Sequence, residues 1–196
     1  MRLPTRAQTS QPWRIHELTR DFRLEDVWAL PTPGDSGDFP ALLQLIASMD
    51  PSVGSSAALF AVRWKIGEVL GWDDPDGPHG SHRPTLRDRL PADLRDTPAG
   101  PDVDALPFTS LYLTDDEWAA EIVNRTVHGV MHIGWVTHED GGYRGQMSVY
   151  VKRNGLLGSA YMAAIAPFRH LIVYPLMLRG IGREWQARSG DLRTAS

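Results

Sequence analysis

Between residues 108 and 152 the chain reads as four β-rich runs divided by short polar breaks, and this stretch constrains the fold more than any other. The runs are 108–113, 117–123, 126–136 and 143–152; the breaks are Thr114-Asp115-Asp116, Asn124-Arg125 and 137–142. Connections this short allow antiparallel hairpins only, since parallel neighbours need a crossover of a dozen or more residues. Turns at Asp115-Asp116 and Asn124-Arg125, with a five-residue loop over 138–142, set Leu113 opposite Trp118, Trp118 opposite Met131, and Ile133 opposite Met147. One face then collects Leu111, Leu113, Trp118, Ile122, Met131, Ile133, Trp135, Met147 and Val149. A one-residue slip at any turn would scramble that face, so its uniformity supports the meander.

The opposite face holds Tyr112, Glu117, Glu121, His128 and His132, with Glu121 beside His128 and Glu117 beside His132. These read as two structural ion pairs on a surface facing solvent or a second subunit, which leaves a homodimer open. Residues four apart on a strand are separated by about 13 Å, so the two histidines cannot share a metal ion.

Upstream, Trp13-Arg14-Ile15-His16-Glu17-Leu18 alternates apolar and polar residues and predicts a first strand. Asp21 is placed to cap a short helix carrying Phe22, Leu24, Val27, Trp28 and Leu30, and further helices are expected over 39–48 and 55–70. Residues 72–107 hold seven of the 15 prolines, which predicts a surface excursion, either a lid or a disordered segment. His79 and His82, near Asp73, Asp74 and Asp76, read there as part of a solvated acidic loop rather than a metal site.

After Asn154-Gly155 the period becomes helical to about Trp185. Leu157, Tyr161, Ile165, Phe168, Ile172 and Leu176 form a stripe, broadened by Leu171, Leu178, Ile181 and Trp185. Pro167 and Pro175 are expected to kink this helix. The chain is therefore expected to be one α+β domain over 1–196, with tails at 1–11 and 189–196: a curved antiparallel meander wrapped on a long kinked C-terminal helix.

Composition narrows function by exclusion. A net charge of −4, with arginines interleaved with aspartates, argues against a nucleic-acid partner. Zero cysteines exclude thiolate catalysis and cysteine-bound metals. The uncharged stretch 155–168 falls short of the ~20 residues that span a bilayer, and the basic N-terminus lacks the apolar core of a secretory signal, so a cytoplasmic location is expected. Gly180-Ile181-Gly182 lacks the third glycine of a dinucleotide fingerprint, and no phosphate loop, nucleophile elbow or zinc-protease motif is present. No cofactor is nominated.

The order of elements resembles the helix-grip fold of START and Bet v 1-like proteins (the SRPBCC superfamily). More narrowly, Trp13-Arg14-Ile15-His16, Asp26-Val27-Trp28, the run 126–132, Gly155-Leu156-Leu157-Gly158, Pro167-Phe168-Arg169-His170 and Val173-Tyr174-Pro175 resemble domain of unknown function 2867. The superfamily resemblance implies a cavity between sheet and C-terminal helix that takes a small apolar molecule. Its expected lining is Trp118, Met131, Ile133, Trp135 and Met147 from the sheet and Tyr161, Ile165, Phe168 and Ile172 from the helix, with His16, Tyr143, Arg169 and His170 as a polar rim. Two other readings stand beside a binding protein: an enzyme of the polyketide cyclase or aromatase type, and a companion or structural module whose core is filled.

Overall fold

The computed structural model describes residues 1–48, 85–103, 108–123, 127–138, 140–153, 155, 162–163, 166–167 and 169–194. Its centre is a five-stranded antiparallel sheet of order β1-β5-β4-β3-β2, formed by β1 (Arg23–Ala29), β2 (Thr109–Leu113), β3 (Glu117–Val123), β4 (Val127–Thr137) and β5 (Tyr143–Arg153). Short helices α1 (Arg6–Thr9) and α2 (Ile15–Leu18) precede β1, α3 (Phe39–Ala47) follows it, and α4 (Ala92–Arg95) stands before β2. A wide π-helical turn, Arg169–Val173, leads into α5 (Tyr174–Thr194). No helix among the described residues is long and apolar enough to cross a membrane.

The four runs of the meander form as strands, and β4 pairs with β5 in the expected register, Ile133 opposite Met147 and Thr137 opposite Tyr143. Two details differ. Trp118 lies opposite Ile133 and Val123 opposite His128, so β3 and β4 are offset by two residues from a register set by a two-residue Asn124-Arg125 turn. A two-residue offset leaves every side chain on its expected face. In β2, a bulge between Ser110 and Tyr112 moves Leu111 off the Trp118 face and puts Ser110 there instead, where its hydroxyl accepts from the Trp118 indole at 3.2 Å.

The two elements nearest the N-terminus exchange identity. Ile15–Leu18 is a helical turn, and Arg23–Ala29 is the strand. The apolar residues of 26–30 are buried on both faces of the sheet, Trp28 and Leu30 on one and Val27 and Ala29 on the other. A strand covered on both sides loses its alternation and resembles a helical stripe. Its outer edge is paired in turn: Leu3 N–H donates to the Val27 carbonyl at 2.8 Å and Ala29 N–H to the Met1 carbonyl at 2.8 Å.

Both faces of the sheet are covered. On the inner face, Trp118, Met131, Ile133, Trp135 and Met147 pack with Phe39, Leu42 and Leu45 of α3 and with Tyr174, Leu178, Ile181 and Trp185 of α5. The outer face, expected to meet solvent or a subunit, instead carries a second core in which Trp13, Ile15, Leu18, Leu86, Leu90 and Leu94 cover Tyr112, Ala119, Val130, Val136 and Tyr150. The described part of the 72–107 excursion thus contributes three buried leucines to that core. The helix expected over 55–70, and His79 and His82, lie outside the described residues.

The seat of Trp13 on the sheet gives a direct check of this second layer. A β-carbon added to Gly134 would meet Trp13 Cζ2 at 2.5 Å and Cη2 at 2.7 Å, and a rigid indole cannot swing aside as a flexible chain end would. Gly134→Ala is expected to cost about 1–3 kcal/mol in urea unfolding. An unchanged midpoint would show that Trp13 does not sit there.

Candidate functional site

Two polar constellations lie on opposite faces of the sheet. The first is centred on Asp26. A bulge in β1 between Leu24 and Asp26 sets Asp26 opposite Val149, on the same face as Trp28 two residues on. Its carboxylate, with no exposed surface, accepts from Arg169 Nη2 at 2.7 Å, His170 Nε2 at 2.6 Å and Tyr174 OH at 3.1 Å, and Arg2 Nη2 stands 3.5 Å away. Three of these four partners come from the π turn and the first residue of α5, so one buried charge holds the start of the C-terminal helix against the sheet edge.

Trp28 lines the same place, its ring 4.9 Å from that of Tyr174 and 6.4 Å from that of His170. Arg169 lies 5.8 Å from the centre of the Tyr174 ring. Burial is the main cause that pushes the Tyr174 hydroxyl well above its ordinary range, so it stays protonated and donates to Asp26. Three polar atoms at this clamp have no hydrogen-bond partner among the described residues. Trp28 Nε1 and Arg169 Nε are buried with no hydrogen-bond partner. His170, whose side chain is 28% exposed, engages Asp26 through Nε2 and leaves Nδ1 without a described partner. A buried N–H without an acceptor costs on the order of 1–3 kcal/mol, so two beside one clamp invite an acceptor from outside the chain.

The second constellation is enclosed within the outer core. His132 Nε2 lies 2.9 Å from Glu117 Oε2, and its Nδ1 lies 3.2 Å from Gln8 Nε2 and 3.4 Å from Ser148 Oγ. Tyr112 OH and the Arg14 N–H also donate to Glu117, and Gln8 Nε2 donates to Tyr150 OH. Burial drives the His132 pKa below its ordinary 6.5 in spite of the carboxylate. Burial alone would raise Glu117, yet the hydrogen bonds from His132, Arg14 and Tyr112 prevail and hold it below 4.5. The pair is therefore a carboxylate and a neutral imidazole that donates from Nε2 and accepts at Nδ1. Beside it, His128 Nε2 contacts Glu121 at 2.7 Å, and Glu121 also accepts from Thr85 Oγ1 and, at 3.0 Å, from the Leu86 N–H. Both predicted Glu–His pairs are present, but in the interior rather than on a surface.

The structure separates the residues nominated from the sequence. Trp118, Met131, Ile133, Trp135 and Met147 share the inner core. Ile172 is 43% exposed and Leu171 75% exposed, and Tyr174, Leu178, Ile181 and Trp185 face the sheet instead. Tyr161, Ile165 and Phe168 lie outside the described residues. Of the rim residues, Arg169 and His170 meet at Asp26; Tyr143 stacks on Trp135 at 6.5 Å; His16 belongs to the outer face, with Nε2 3.1 Å from the Gln11 carbonyl and Nδ1 3.4 Å from Tyr150 OH. Asp26, Trp28 and Tyr174 were not nominated, although an aspartate inside an apolar run, Asp26-Val27-Trp28, is a signal of a paired buried charge.

The model of the family described as protein of unknown function (DUF2867) matches residues 18–176, and the chain belongs to that family. No curated protein and no solved structure matches.

Two measurements check these geometries. Asp26→Ala leaves Arg169, 15% exposed, without its carboxylate, and is expected to cost about 3–5 kcal/mol, with Asp26→Asn less harmful; a loss below 1 kcal/mol would mean that Asp26 does not hold the helix. The second concerns pH. With His132 depressed in the folded state, the unfolded chain binds more protons below about pH 6.5, and with Glu117 and Glu121 depressed it does so again below about 4.5. Thermal stability is therefore expected to fall in two stages on acidification, below about pH 6.5 and again below about 4.5; a midpoint that rises between pH 7 and 6 would contradict it.

Proposed function

We propose that this DUF2867 protein binds a small molecule with an apolar body and a hydrogen-bond-accepting head, held where the inner face of the sheet meets the start of the C-terminal helix. The observation that carries this reading is the pair of buried, unpartnered donors, Trp28 Nε1 and Arg169 Nε, at the Asp26 clamp. Apolar surface adjoins them: Val127, Val149, Val151 and Met162 continue the inner face beyond Met131, and Leu171 and Ile172 are exposed on the π turn itself. An antiparallel sheet packed against a C-terminal helix suits a helix-grip relative of START and Bet v 1-like proteins, with the difference that the outer face here carries its own core.

A specific observation also favours a proton-moving enzyme. Asp26 holds the His170 imidazole at 2.6 Å through Nε2, in the same arrangement by which a carboxylate orients a catalytic histidine, and its Nδ1 has no described partner. Binding comes first in either case.

The test is a titration of the folded protein with 1-anilinonaphthalene-8-sulfonate, which has both an apolar body and an accepting head. Saturable binding with quenching of tryptophan emission is expected. Trp28→Phe keeps an aromatic ring while deleting the N–H, and should weaken binding roughly tenfold, the worth of one buried hydrogen bond. Absence of saturable binding, or equal affinity in the variant, would sink the reading.

A further inference from the structure

At the far end of β1 from the Asp26 clamp, the chain leaving the strand runs against the β4–β5 hairpin. Gly34 N–H donates to the Tyr143 carbonyl at 2.9 Å and Tyr143 N–H returns the bond at 2.8 Å, which fixes the two segments side by side. Between them is a cavity of about 500 Å³ lined by Leu30, Pro31, Pro33, His138, Tyr143 and Arg144, among others. Its walls are rigid: the two prolines have fixed φ and no N–H, and Tyr143 is stacked on Trp135 at an interplanar angle of 11°.

The lining carries one guanidinium, Arg144, and one carboxylate, Asp140. Asp140 is already engaged, by His138 Nδ1 at 2.9 Å and by the Gly142 N–H at 3.1 Å, and these two interactions hold its carboxyl below the usual range. Arg144 has no ion pair among the described residues, and its Nε is buried without a hydrogen-bond partner. Elsewhere Arg14, Arg89, Arg153 and Arg169 each rest on a carboxylate. Arg144 is thus a guanidinium without an ion pair among the described residues, in a cavity wall it shares with Leu30, Pro31, Pro33, Tyr143, His138 and the already engaged Asp140.

We propose that this cavity is a binding site for a small carboxylate with a flat apolar body, its carboxylate on Arg144 and its body between Pro31, Pro33 and Tyr143. The planar fork of a guanidinium matches a carboxylate in two parallel hydrogen bonds. A polyphosphate would require several cations, and this cavity offers one. The site stands apart from the Asp26 clamp, and neither requires the other.

The experiment is a titration with sodium benzoate followed by amide NMR of the full chain. Saturable shifts confined to Gly34, Gly142, Tyr143 and Arg144 are expected, with a dissociation constant in the millimolar range or tighter for a ligand of this size. Benzamide, which keeps the ring and loses the charge, should bind at least tenfold more weakly. Arg144→Gln should weaken benzoate at least tenfold and Arg144→Lys less, since lysine keeps the charge without the fork, while Trp28→Phe should leave it unchanged. Should Arg144→Gln fail to fold, Arg144→Lys and the benzamide comparison decide. The proposal is overturned if no saturable shift appears at these residues, if Arg144→Gln binds as well as the parent, if benzamide equals benzoate, or if inorganic phosphate binds as tightly as benzoate.

Discussion

The antiparallel ladder between β4 and β5, unbroken from Val127–Arg153 to Thr137–Tyr143, is the constraint to which everything else in this protein answers. Ten of the eleven residues of β4 are buried, on both sides of the sheet. Such a strand is common in parallel sheets flanked by helices and less so in an antiparallel meander, where one face usually meets water. Here helices α3 and α5 take one face and the N-terminal turns with residues 86–95 take the other. The consequence is that no polar side chain in the middle of β4 has water to turn to.

That consequence explains the outer network. His128 and His132 point away from the Trp118 face and are buried, so each needs a partner inside the protein. Glu121 and Glu117 supply the acceptors on β3, and Gln8 supplies the donor that a neutral His132 requires at Nδ1. Gln8 in turn is held through Gln146, whose Nε2 donates to Gln8 Oε1 at 2.8 Å and to the Ala7 carbonyl at 3.1 Å. A helix of four residues has little stability of its own. What seats α1 is the fit of one glutamine into a polar chain that an apolar cover could not satisfy.

How much of this was legible from residues alone follows from where local pattern and tertiary cover agree. The strands of the meander, the loop at 138–142 and both Glu–His pairs could be read because turn lengths and side-chain alternation are local properties. The burial of the outer face could not, since the cover comes from Trp13, Leu86 and Leu90, residues distant in sequence from the strands they shield. Burial of Val27 and Ala29 on one face and Trp28 and Leu30 on the other disguised β1 as a helix. For the Asp26 site, the motifs that carry it were visible as separate fragments, Asp26-Val27-Trp28 and Arg169-His170 with Tyr174; only folding shows them to be one place.

The π turn joins these threads. The stripe in the sequence groups Ile172 with Leu176, whereas the residues of α5 that pack against the sheet are Tyr174, Leu178, Ile181 and Trp185, which recur at helical spacing. Within the π turn Ile172 is exposed, while Arg169 and His170, adjacent in sequence, both reach a single carboxylate that Tyr174 also reaches. In a regular helix, neighbours are about 100° apart and would not converge so readily on one oxygen pair. Wider turns have poorer hydrogen-bond geometry and are retained mostly where a side chain must be re-aimed, commonly at functional sites. The three hydrogen bonds to Asp26 tie this turn and the first residue of α5 to β1, and Trp28 Nε1 and Arg169 Nε stay buried beside them without a hydrogen-bond partner.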